Sequence, residues 1–203
     1  ESQPLDVDLG TLDYRLIQED GLTYVSLRSF VSGTYDNMLA RYAREGAKAR
    51  GSKAVIYDLR GNVGGSDSWP RKWIQSFLGT QNSIETSMLY AQKNSALFAA
   101  ENSESLLPED EGTCFAREVH GTWYENDIPI IVLVDDHCGS SGEGAVQLLK
   151  TLDNVLIVGS NTAGYQLCGN ISTFTLPYTG IGVRFGSTLF LYGDGENLDH
   201  RGY

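Results

Sequence analysis

The chain has 203 residues, 41% hydrophobic and 20% charged, which suits one globular domain and excludes disordered and collagen-like chains. Its net charge of −11 argues against a nucleic-acid partner, whose phosphates require a basic face. No apolar run approaches the roughly 20 residues that span a bilayer, and the acidic start, ESQPLDVDLG, lacks the basic-then-apolar layout of a signal peptide.

Residues 1–12 read as a polar lead-in to a core domain over 13–203. LTYVSLRSF (22–30) has the β-branched and aromatic density of a strand. Residues 35–49 place Met38, Leu39, Tyr42 and Ala43 at helical spacing, with Gly51 as the stop. KAVIYDL (53–59) is an apolar run typical of a strand covered on both faces. The glycine-rich loop RGNVGGSDS (60–68) follows, and Pro70 fits a first helical turn, with Trp73, Ile74, Phe77 and Leu78 forming the apolar face. Trp69 and Trp73 read as core packing rather than substrate pocket.

IETSMLYAQ (84–92) alternates as a strand does, whereas 93–127 has few long apolar stretches and reads as an insertion or flap. IPIIVLVDD (128–136) is a buried strand, HCGSS a tight turn, GEGAVQLLKTL (142–152) a helix and VLIVGS (155–160) another buried strand. Residues 171–193 read as paired strands with glycine turns. Buried strands alternating with helices give an α/β fold. Cys114, Cys138 and Cys168 are too few and too scattered for a zinc site or a disulfide framework, and either one bridge or three buried thiols fits them.

Two of the buried strands end in a glycine-rich turn followed by a helix, an arrangement that presents backbone N–H groups to negative charge. The first turn is DLRGNVGG (58–65) and the second is HCGSSGE (137–143). Ser140 lies at the mouth of the second turn, where an acyl-transfer nucleophile belongs. Such glycines also serve simply to bring backbone and helix together, so packing stands beside catalysis as an account of both turns. Neither turn fits G-x-G-x-x-G or G-x-x-x-x-G-K-[ST], which argues against nucleotide.

In this order, four segments resemble those of carboxyl-terminal processing (tail-specific) serine peptidases and their relatives, the tricorn protease core and interphotoreceptor retinoid-binding protein modules. TYVSLRSF resembles the family's opening strand, VIYDLRGNVGG its D-L-R-x-N-x-G-G motif, IIVLVDDHCGSSGE its strand leading to S-x-[SAG]-E, and LIVGSNTAGY its V-G-x-x-T-x-G-K segment. The resemblance runs from Tyr24 to Tyr203, the variable middle aside. It implies a ClpP/crotonase-like core of ββα units with extra β-strands at the C-terminal end, and Ser140 as nucleophile. The backbone N–H groups of Gly64 and Ser141 would form the oxyanion hole. Asp58 and Arg60 would hold the glycine loop, and Glu143 would either support the site or favour its own helix's first turn. The implied substrate is polypeptide, bound as an added strand, with no cofactor or metal and a location outside the cytoplasm.

The chain departs from this pattern where it matters most. Thr162-Ala163-Gly164 is followed by Tyr165 instead of the family's lysine. Tyrosine, with an ordinary pKa near 10, is a poor base at neutral pH. The tricorn-like branch takes a histidine from the opening strand, and none stands between Tyr24 and Arg28. His120, His137 and His200 remain, with His120 favoured because a separate segment can approach Ser140 across the cleft, and Asp199 matches a position that orients a histidine. The competing expectations are a catalytically impaired relative binding peptide or another ligand in the same cleft, and a crotonase-like enzyme acting on a thioester.

Overall fold

The structure, a computed structural model, describes residues 13–101, 111–193 and 199–203, so the lead-in expected over 1–12 lies outside the described residues. Strands β1 (Arg15–Glu19) and β2 (Leu22–Ser26) form an antiparallel hairpin. Its two-residue turn, Asp20-Gly21, has positive φ at both positions, which matches the twist of the flanking strands.

Beyond the hairpin the sheet is parallel. β2 pairs with β3 (Ala54–Asp58), β3 with β6 (Ile130–Val134), and β6 with β7 (Val155–Gly159), giving the order β1-β2-β3-β6-β7. Parallel neighbours need crossovers, and helices supply them. α1 (Asp36–Glu45) links β2 to β3, α2 (Ser68–Leu78) lies between β3 and β6, and α4 (Ser141–Leu149) links β6 to β7. The core is packed from Val25, Leu39, Tyr57, Trp73, Val132 and Val146. Trp73 is fully buried, edge-on to Tyr57 at 4.9 Å and stacked on Phe77 at 5.4 Å. Trp69 is half-buried and donates from Nε1 to Ser32 Oγ.

The helix expected over 35–49 changes pitch at Gly46, continuing as a 3-10 turn over Gly46–Gly51. Gly46 is pressed against α2, where a Cβ would stand 2.3 Å from the Trp73 carbonyl oxygen. The two elements meet through bare backbone.

A second, antiparallel sheet has the order β5-β4-β9-β8, built from β4 (Met88–Lys93), β5 (Cys114–Val119), β8 (Cys168–Thr175) and β9 (Gly182–Tyr192). The stretch 93–127, expected to be irregular, therefore contributes α3 (Ala96–Glu101) and a strand paired along β4. CFAREV is exposed along most of its length, so it carries no alternating apolar signal. The three cysteines are free thiols, Cys138 buried and Cys114 and Cys168 exposed. Among the described residues no helix is long and apolar enough to cross a membrane.

Candidate active site

The end of β3 is anchored by charge. The buried Asp58 carboxylate accepts from Tyr24 Oη at 2.7 Å, from Arg60 N and Nε at 3.0 Å each, and from Arg60 Nη2 at 2.8 Å. Burial alone would raise the Asp58 pKa, but the hydrogen bonds from Arg60 and Tyr24 and the nearby Arg28 outweigh it, bringing it down to about 2. Asn62 then stitches the loop in three directions. Its Nδ2 donates to Leu27 O at 2.8 Å, its Oδ1 accepts from Gly64 N at 2.9 Å, and its carbonyl accepts from Gly139 N at 2.9 Å. The last bond ties the first glycine turn to the second.

Ser140 caps α4 at φ 54 and ψ −124, a sparsely populated conformation for a residue with a side chain. Such a turn between strand and helix projects a serine hydroxyl out of the fold, and Ser140 is exposed. The conformation is held from beneath by Glu143, which is fully buried. The Glu143 carboxylate accepts from Ser140 N at 3.2 Å, Thr162 Oγ1 at 2.6 Å, Gly164 N at 2.7 Å and Tyr165 N at 2.8 Å. Glu143 completes the capping box at the start of α4 and also joins the serine turn to the Thr162–Tyr165 turn.

The two glycine turns converge. A Cβ built on Gly64 would meet Ser140 Cβ at 2.7 Å, with Gly139 O and Ser141 N at 2.9 Å each. Gly64 N–H, however, is engaged by Asn62, whereas Gly65 N–H and Ser141 N–H have no acceptor among the described residues. Beside Ser140 opens a cavity of about 100 Å³ whose walls include Gly65, Asp67, Tyr165, Gln166 and Tyr192. A larger cavity of about 510 Å³, between α1 and α2, touches none of these groups.

The expected bases are placed less favourably. His120 is exposed just beyond β5, on the antiparallel sheet. His137 is bonded through Nδ1 to Asp136 at 2.8 Å and is 75% exposed. The His200 ring, 86% exposed, lies 3.5 Å from Asp199, while its backbone N–H donates to Gly164 O at 3.0 Å. Tyr165 lies along Gly139, its Cδ2 3.2 Å from where a Cβ on that glycine would be. Among the described residues, neither a histidine ring nor the Tyr165 hydroxyl hydrogen-bonds the Ser140 hydroxyl. Asp135, Asp136 and His137 bring potential metal ligands within 4.8 Å of one another. Asp135 Oδ1 is already occupied by Gly61 N and His137 N.

Residues 21–202 match the family model for peptidase family S41. The chain belongs to this family. Among curated proteins, none matches the sequence significantly. Among solved structures, the fold is similar to the photosystem II D1 C-terminal processing protease, with TM-score 0.55 and 19% identity over 90% of this chain and 40% of that one. It is also similar to mature CPAF, with TM-score 0.58 and 13% identity over 94% of this chain and 48% of that one. A lipoprotein from Streptococcus agalactiae matches with TM-score 0.53 and 18% identity, over 91% of this chain and 60% of that one. The S41 chain thus spans about half the length of the solved structures it resembles.

Asp67, Gln166 and Tyr192 escaped the sequence reading. Each is an ordinary polar residue outside the family motifs, and only the packing of β9 against the serine turn brings them together.

Proposed function

We propose that this chain is the core of a serine peptidase that cleaves polypeptides through an acyl-enzyme on Ser140. The observation that carries this reading is the approach of Gly64 to Ser140 and Ser141, which sets an exposed serine beside backbone N–H groups. In the proposed reaction Ser140 Oγ attacks the scissile carbonyl carbon and gives its proton to a base. The carbonyl oxygen becomes an oxyanion facing Ser141 N–H and a donor from the glycine loop. Gly65 N–H is free for that part, while Gly64 N–H would first have to leave Asn62. Collapse expels the amine, which takes the proton, and water then hydrolyses the ester.

For the base, connectivity favours His200 over His120. Its backbone is bonded to Gly164, in the turn that Glu143 joins to Ser140, and Asp199 is beside its ring. Rotation about its side chain must bring the ring to Ser140. A second reading, a catalytically impaired peptide-binding relative, is favoured by Tyr165 at the lysine position.

Reaction with a fluorophosphonate probe, followed by peptide mapping, separates the two. Labelling at Ser140 that slows at least tenfold in His200→Ala supports the peptidase and its base. No labelling, with peptide still bound, favours the binding protein.

A further inference from the structure

Asp67 and Gln166 each carry a buried polar atom that no protein group satisfies, Asp67 Oδ1 and Gln166 Nε2, and both residues line the cavity beside Ser140. Buried polar atoms in folded proteins are normally paired, so two orphans in one small cavity point to a missing partner. One atom is an acceptor and the other a donor.

Their placement is enforced from several sides. Asp67 precedes α2 yet makes no capping bond there. Its carboxyl lies against Gly144 of α4, where a Cβ would come within 2.7 Å of Oδ1. Burial pushes its pKa up, with Ser141 and Arg71 acting in the opposite direction. Arg71 is itself committed to Glu85 at 2.7 Å. Tyr203 Oη donates to Gln166 Oε1 at 2.9 Å, which leaves Nε2 as the unpaired end. Tyr192 borders the same space, its hydroxyl pKa raised by burial and by the charge of Asp67.

We propose that, given the serine peptidase reading above, this cavity receives an asparagine side chain from the residue whose carbonyl Ser140 attacks. The carboxamide NH₂ donates to Asp67 Oδ1 and its oxygen accepts from Gln166 Nε2. The cavity's volume of about 100 Å³ is roughly that of three waters, which admits a short side chain. An apolar side chain leaves both orphans unmet, and an aspartate sets a second carboxylate against Asp67. A lysine is longer, and it turns an ammonium toward the Gln166 donor.

The test uses Ser140→Ala protein, which cannot turn over, and acetylated tripeptides that differ only in ending with Asn, Asp, Leu or Lys. Titration calorimetry is expected to find the Asn peptide tightest by about 10- to 100-fold, since a site built on hydrogen bonds rejects analogues that lack them. Asp67→Ala and Gln166→Ala should each erase that preference, with thermal melts confirming that they fold; Asp67→Leu, which also lacks the acceptor, serves if Asp67→Ala does not. Equal binding of all four peptides, which is the result if ordered water alone fills the cavity, overturns the proposal. So does a preference for Lys, or an Asn preference that survives both variants. Fluorophosphonate labelling of the unaltered protein is read separately. Labelling without Asn preference removes only the pocket assignment, whereas Asn preference without labelling keeps the pocket and removes the peptidase.

Discussion

Gly64 and Ser140 stand so close that a methyl group on Gly64 would lie 2.7 Å from Ser140 Cβ. Backbone atoms of Gly139 and Ser141 are at 2.9 Å, and Gly64 itself has φ +98, so neither side can yield cheaply. Gly64→Ala is therefore expected to lower stability by about 1–3 kcal/mol and to slow probe labelling of Ser140 at least tenfold. Urea titration and labelling kinetics read the two effects. A variant as stable and as reactive as the parent would show that the turns do not meet.

Asn62 is the clasp between the turns. Removing its side chain strands the carbonyl of Leu27 and the N–H of Gly64, both held by it. Asn62→Ala should cost about 2–3 kcal/mol, measured as a drop in the urea midpoint. Asn62→Asp keeps the acceptor for Gly64 but loses the donor to Leu27 O, and should not restore stability.

Asp58 and Asp67 predict opposite pH dependences. The folded pKa of Asp58 is depressed from 3.8 to about 2, so its contribution is present above about pH 4 and is lost as pH falls toward about 2. Asp67 is raised, so the folded state holds its proton more tightly; its effect favours folding at low pH and diminishes as pH rises through its folded value. Urea midpoints between about pH 2 and 7 should show a flatter acid limb in Asp58→Asn and a smaller decline on the rising side in Asp67→Asn.

Tyr165 occupies the position where the resemblance puts a lysine, and its backbone is fixed by Glu143 at 2.8 Å. Tyr165→Lys places an amine beside the serine turn on an unchanged main chain. General-base assistance contributes typically 10²–10⁴-fold, so peptide hydrolysis should rise at least about tenfold in this variant. A folded variant with no gain would show that position 165 does not reach the Ser140 hydroxyl.

The parallel sheet was legible because its strands, such as IIVLV, are apolar runs bounded by glycine turns. The serine turn was legible through its motifs, for Asp58, Asn62, Ser140 and Glu143 stand at motif positions, although the groups they hold, such as Leu27 and Thr162, are distant in sequence. β5 was hidden because CFAREV is exposed along most of its length and so lacks an alternating apolar pattern. The pocket residues were hidden for a different reason: Asp67, Gln166 and Tyr192 come from three separate segments and meet only in the folded chain. The base was not legible either, since a histidine's reach depends on side-chain rotation and not on spacing.

The most direct measurement is a crystal structure of the protein after reaction with a fluorophosphonate. The phosphorus should be bonded to Ser140 Oγ, with the phosphoryl oxygen about 2.7–3.1 Å from Ser141 N and from a glycine N–H of the 64–65 turn. A phosphoryl oxygen turned to solvent, or an unmodified Ser140 in protein that is otherwise folded, would contradict the account.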